Sequence, residues 1–133
     1  MTTPTLRILV VDDHEPFRRF VLLTLDRKPD LQVVGEAADG LEAMQKAEVL
    51  LPDLMVLDLA LPKLNGLEVA RQIGKVSPDC KILFVSQESS SDVVQEALRL
   101  GALGYVVKTH AASDLLDAVE AVRQGKRFFS NGL

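Results

Sequence analysis

The chain holds a single cysteine, no tryptophan and only two histidines among its 133 residues, and each shortage removes a class of protein. One thiol, Cys80, cannot form an internal disulfide and suits a reducing compartment, where a lone cysteine serves as a small core hydrophobe. Zinc is disfavoured, because the His and Cys ligands that it prefers are missing as a set. Basic residues number 15 against 19 acidic ones, for a net charge of −4. The clustered positive charge that draws proteins to nucleic-acid phosphates is therefore lacking, and this segment is not expected to bind DNA itself. No apolar run approaches the ~18 residues of a membrane span, and no basic head precedes a long apolar stretch, so a cytoplasmic, non-membrane location is expected. No G-x-G-x-x-G follows a strand-like run, and the pair Gly101 and Gly104 is too little for a dinucleotide or flavin cradle.

What remains is an ordinary globular balance of 47% hydrophobic and 26% charged residues, enough for one self-sufficient core. Five short apolar runs, Leu6–Val11, Leu31–Val34, Leu54–Leu57, Ile82–Val85 and Tyr105–Val107, are bounded by polar residues, Gly or Pro and predict five strands. Between and after them, apolar residues recur at helical spacing: Phe17, Phe20 and Val21; Leu41, Met44 and Ala47; Val94, Ala97 and Leu98; Leu115, Ala118, Val119 and Val122. A weaker stripe spans Leu67 to Ile73. Pro16 suits a first helical turn, and Asp39 with Glu42 makes a capping pair at the start of another. Strands apolar on both faces and alternating with helices predict an α/β fold: a single doubly wound (βα)5 domain whose parallel five-stranded sheet carries helices on both faces.

In such a sheet, ligands gather beyond the carboxyl ends of the strands. The first strand runs into Asp12 and Asp13, the third into Asp58, the fourth into Ser86 and the fifth into Lys108. In the flavodoxin-like strand order 2-1-3-4-5, the first and third strands are neighbours, so three acids share one pocket. Clustered carboxylates repel one another unless a cation balances them. Mg²⁺, which takes carboxylates, waters and phosphate oxygens in octahedral geometry, is the predicted metal. Taken singly, an acid here favours the plainer reading, Asp12 and Asp13 as helix caps and Asp58 as a turn residue, while Ser86 could be a turn hydroxyl and Lys108 a solvated strand end. Their joint arrival at one sheet edge favours a site.

With ILVVDDHEPFR at the first strand, LMVLDLALPKLNG around the third and GYVVKT at the fifth, the chain resembles the receiver domains of two-component response regulators over essentially its whole length. The Asp-Asp-His opening is most similar to the NarL/FixJ branch. The resemblance implies a receiver domain at residues 1–127 and a tail at 128–133, the start of a linker to an output domain. It makes Asp58 the acceptor of a phosphoryl group from a histidine kinase or phosphotransfer protein. Asp13, Asp58 and the Ala60 carbonyl become direct Mg²⁺ ligands, with Asp12 acting through bound water. Lys108 and Ser86 would contact phosphoryl oxygens, and Tyr105 would turn inward with the switch.

The expected output is a changed surface on the fourth helix, fifth strand and fifth helix, read as homodimerisation or as release of a transcriptional helix-turn-helix domain. DNA is a partner only through that domain. Such a domain is a regulator that assists its own phosphorylation and dephosphorylation, not an enzyme. His14 fits a helix start, and neither it nor His110 is assigned chemistry. Two features depart from the family pattern: Thr109 follows the lysine where proline is common, and Gln87 follows the switch hydroxyl where a small residue is usual; Ala60 and Glu88 correspond to variable positions that in the family tune acyl-phosphate hydrolysis. The competing readings are a phosphate-ester hydrolase with an Asp nucleophile and a receiver-like module that signals without phosphate.

Overall fold

Strand alternation decides the architecture, because successive side chains point to opposite faces of a sheet. In the computed structural model, which describes residues 4–130, the elements follow in the order β1 (Leu6–Val11), α1 (Glu15–Leu25), β2 (Leu31–Ala37), α2 (Gly40–Leu50), β3 (Leu54–Leu57), α3 (Gly66–Val76) and β4 (Lys81–Ser86). They continue with α4 (Ser91–Arg99), β5 (Gly104–Val107), a 3₁₀ turn (Lys108–His110), α5 (Ala111–Arg123) and β6 (Phe128–Phe129). Leu9, Val11, Met55, Leu57 and Phe84 pack on one face against Ala43, Ala47, Val69, Ile73, Val94 and Ala97 of α2, α3 and α4. Ile8, Val10, Leu54, Val56 and Leu83 pack on the other against Val21 and Leu25 of α1 and Leu115, Ala118 and Val122 of α5. Both faces are dry, as the two-sided apolar runs require.

The sheet order is β2-β1-β3-β4-β5-β6 with every pair parallel, so the expected 2-1-3-4-5 order is present. Among the described residues the sheet has six strands, a short sixth added to the five expected. Phe128 and Phe129 pair with Gly104 and Tyr105, and Ser130 continues the contact by donating its backbone N–H to the Tyr105 carbonyl at 3.0 Å. This part of the expected tail covers the β5 edge, which would otherwise leave backbone groups unpaired. The remainder, 131–133, lies outside the described residues. β2 also runs three residues beyond its predicted end, because an edge strand half open to solvent tolerates Gly35 and Glu36.

The helix starts agree with the sequence. His14 caps α1 with Pro16 in its first turn, and Asp39 caps α2 by accepting from the Glu42 amide at 2.8 Å. Asn65 caps α3 through the Glu68 amide at 3.0 Å, and this helix, whose stripe reads weakly in the sequence, buries Val69, Ala70 and Ile73. Among the described residues, no helix is long and apolar enough to cross a membrane.

Candidate functional site at the carboxyl edge of the sheet

β1 and β3 lie in register with Val11 opposite Leu57, so the residues that follow them, Asp12 and Asp58, emerge side by side. Their backbones are fixed by the ladder: the Asp58 N–H donates to the Val11 carbonyl and the Asp12 N–H to the Ala37 carbonyl, each at 3.0 Å. Asp12 and Asp58 are 3% and 5% exposed, while Asp13 faces solvent. Carboxylate oxygens of Asp12, Asp13 and Asp58 all lie within 4.8 Å of one another, the one such acidic group among the described residues. These donors are hard carboxylate oxygens, a set compatible with a divalent metal ion.

Lys108 closes the cluster from β5. Its Nζ stands 2.9 Å from Asp12 Oδ2 and donates to Asp58 Oδ2 at 3.1 Å, with the side chain only 12% exposed. Burial works to lower its pKa, yet the hydrogen bond that the ammonium donates to Asp12 and the charges of both acids outweigh burial and hold that pKa above its ordinary value. Burial pushes the Asp12 carboxyl up, and the His14 amide and Lys108 only partly offset it. Both Asp12 oxygens are engaged: Oδ1 accepts from the His14 N–H at 2.8 Å, and Oδ2 faces Lys108. The Lys108–Thr109 peptide is trans, and Thr109 leads through the 3₁₀ turn straight into α5.

Asp58, Ala60, Ser86, Gln87, Glu88 and Lys108 line one cavity of about 320 Å³, with Leu59, Leu67 and Val93 among its apolar lining. This is room for a phosphoryl group and its donor's leading atoms. Ala60 donates its N–H to Asp58 Oδ1 at 3.5 Å. Ser86 is buried at the end of β4, and its Oγ accepts from the Glu88 N–H at 3.3 Å. Gln87 is exposed at the rim, so it borders the entrance without filling it. Tyr105 was expected to move inward with the switch, but its ring is already inward in this structure, 1% exposed. Its hydroxyl donates to the Glu88 carbonyl at 2.6 Å, and burial pushes its pKa up to about 12.

Two glycines that sequence reasoning passed over hold the loop bearing Ala60. A Cβ on Gly66 would stand 2.1 Å from the Asp58 carbonyl oxygen, and one on Gly40 would stand 1.8 Å from the Leu64 carbonyl oxygen. Gly66 also donates its N–H to the Leu59 carbonyl at 2.9 Å and Gly40 to the Pro62 carbonyl at 3.2 Å. The Asn65-Gly66 pair after β3 is the one signal that marked this close approach. Arg18 was likewise missed: it donates to the Asp12 carbonyl at 2.7 Å while bridging to Glu36 at 2.9 Å, tying α1 to β2 behind the site.

Comparison with known proteins agrees with this geometry. A family profile described as the response regulator receiver domain matches residues 8–120. The chain is 36% identical over 121 residues to the transcriptional regulatory protein LiaR of Bacillus subtilis, covering 91% of this chain and 57% of LiaR. It is 38% identical over 125 residues to the response regulator protein VraR of Staphylococcus aureus, covering 94% and 60%. The chain thus spans less than two thirds of the length of these curated relatives. Among solved structures, a LuxR-family two-component response regulator from Aurantimonas sp. matches at 36% identity and a TM-score of 0.91, covering 96% of this chain and 91% of that one. The signal receiver domain of the NarL regulator from Mycobacterium tuberculosis matches at 31% and 0.88, covering 93% and 100%.

Proposed function

The chain belongs to the response-regulator receiver family of two-component systems, on its NarL-like branch, and we propose that within it Asp58 is the phosphoacceptor of a cytoplasmic signalling switch. The observation that carries this reading is Asp58 itself, a buried carboxylate that shares an acid cluster with Asp12 and Asp13 and already meets an ammonium at 3.1 Å. In the transfer, an Asp58 carboxylate oxygen attacks phosphorus in line. The new O–P bond forms as the bond to the donor histidine nitrogen breaks, and that electron pair leaves with the imidazole, which takes a proton from solvent. Asp13, Asp58 and the Ala60 carbonyl would hold a Mg²⁺, whose charge would neutralise the phosphoryl oxygens, and Asp12, with both oxygens engaged, would act on it through water. Lys108 stays protonated and follows a phosphoryl oxygen; no general base is required at Asp58. Water attacking the same phosphorus later resets the site, so the domain assists both phosphorylation and dephosphorylation.

The Ser86 hydroxyl moves to another phosphoryl oxygen, drawing the segment 86–88 after it. Because Tyr105 grips the Glu88 carbonyl, that motion is felt on β5 and passed to the α4–β5–α5 surface. A phosphoryl group adds roughly −1.5 to −2 charges, enough to bias such a loop. The partners are a sensor histidine kinase or phosphotransfer protein, a second copy of the chain, and a transcriptional output domain that follows the 128–133 segment and meets DNA on the domain's behalf. The test is incubation with acetyl phosphate and Mg²⁺ followed by intact mass. One adduct per chain is expected, absent with EDTA and absent in Asp58→Asn. An adduct that persists in Asp58→Asn refutes the assignment, and multiple turnover of a generic phosphate ester favours a hydrolase instead.

A further inference from the structure

The Lys108 ammonium has three neighbours, and the third is not a charge. Besides Asp12 and Asp58, its Nζ lies over the Phe17 ring, 4.5 Å from the centroid. An aromatic face attracts a cation within about 6 Å, more strongly where water is excluded, as it is around this largely buried side chain. The ring is itself held in place. It sits in the first turn of α1, where the Phe17 N–H donates to His14 Nδ1 at 3.3 Å, and it packs against Phe20 with centroids 5.6 Å apart and planes at 41°. Phe17 and Phe20 also lean on the core between α1 and α5.

We infer that Phe17 is a positioning residue for Lys108, its ring completing with Asp12 and Asp58 a cradle that keeps the ammonium inside the site. This rests on the proposed phosphoacceptor reading. A lysine carries a flexible four-carbon stem and a strongly hydrated head, and two carboxylates on one side leave the other side free to swing toward water. The ring closes that side with a surface that attracts the cation and excludes water. When a phosphoryl group arrives, the ammonium is already at hand and its reorientation costs little. Replacing the ring by an aliphatic group of similar bulk keeps the packing and loses the attraction, so the ammonium spends less time where transfer needs it.

The experiment combines two readouts. First, NMR of the lysine side chains: the Lys108 Cε protons are expected upfield of the other lysines, shifted by the Phe17 ring current, and the shift should vanish in Phe17→Leu. Second, single-turnover phosphorylation by acetyl phosphate with Mg²⁺: Phe17→Leu is expected to be slowed about 3- to 10-fold, with Phe17→Tyr near wild type. Phenylalanine analogues of rising fluorination at position 17, which keep the shape and empty the ring face of negative charge, should slow the reaction stepwise. A purely structural role would not produce that gradient. Wild-type rates across the fluorinated series overturn the inference, as does a Lys108 signal without the upfield shift. Loss of phosphorylation in the wild-type chain, with the upfield shift intact, would instead count against the phosphoacceptor reading.

Discussion

Two glycines of α3 should respond oppositely to the same added methyl group. At Gly66, in the first turn, a Cβ would stand 2.1 Å from the Asp58 carbonyl oxygen and 2.8 Å from Leu59 Cα, where ordinary contact begins near 3.4 Å. Both obstacles are backbone, so no side chain can rotate away; either α3 or the end of β3 must retreat by more than an ångström. Overpacking of this kind costs about 1–3 kcal/mol, and the Gly66 N–H bond to the Leu59 carbonyl, worth roughly another 1 kcal/mol, is strained with it. A total near 3 kcal/mol corresponds to a fall of about 10 °C in Tm for a domain of this size. At Gly74, two turns later and exposed, the nearest atom to an added Cβ is the Leu100 carbonyl oxygen at 4.0 Å. There Gly→Ala should stabilise by about 0.5–1 kcal/mol through helix propensity alone. Urea unfolding measures both: the midpoint should fall in Gly66→Ala and rise in Gly74→Ala, with the slope unchanged. A Gly66→Ala protein as stable as wild type would refute the close approach, and with it the argument that this glycine seats α3 against Asp58. Because the displaced atoms belong to Asp58 and Leu59, Gly66→Ala should also slow phosphorylation, whereas Gly74→Ala should not.

Other consequences are as concrete. Asp12 is held above its ordinary pKa chiefly by burial, so at neutral pH its charge opposes folding, and that cost fades as pH falls toward the unfolded value near 4. Asp12→Asn should therefore be more stable than wild type at pH 7 in EDTA, with the advantage shrinking in acid; equal melting temperatures at pH 7 would contradict this. Ser130 is buried and donates to Asp114 Oδ2 at 3.0 Å while accepting from the Val107 N–H at 3.1 Å. Ser130→Ala leaves that amide unpaired, at a cost of about 1–3 kcal/mol, and should speed hydrogen exchange at Val107; unchanged exchange would deny the clasp. Cys80, pushed by burial up to about 12, should resist iodoacetamide at pH 8 until urea unfolds the chain, and rapid labelling of the native protein would show that the thiol is not shielded.

The sheet, its order and its two packed faces were readable because each central strand is a continuous apolar run and each helix carries a stripe. The acids and Lys108 were readable because strand ends deliver them, and the register of β1 with β3 needs no knowledge of loops. β6 escaped because Phe128 and Phe129 are too few to show a period; the pair becomes a strand only because β5 offers an open edge. Phe17 read as an apolar residue on its stripe, and it is half-buried against the core, but its place under Lys108 depends on how the α1 and β5 ends meet in space. Gly66 shows no period at all, since what matters there is the side chain it lacks. Tyr105 looked like an aromatic that would turn inward; its burial against Phe84, with centroids 6.0 Å apart, follows from tertiary packing that a four-residue strand does not announce.

The most direct measurement is to locate the phosphoryl group on the chain. After acetyl phosphate and Mg²⁺, borohydride reduces an aspartyl phosphate to homoserine, and peptide mass spectrometry reads which residue has changed. Conversion confined to position 58, and lost when Mg²⁺ is chelated, is the expected result; homoserine at Asp12 or Asp13, or an unaltered Asp58 in a chain that carries the adduct, would contradict the account.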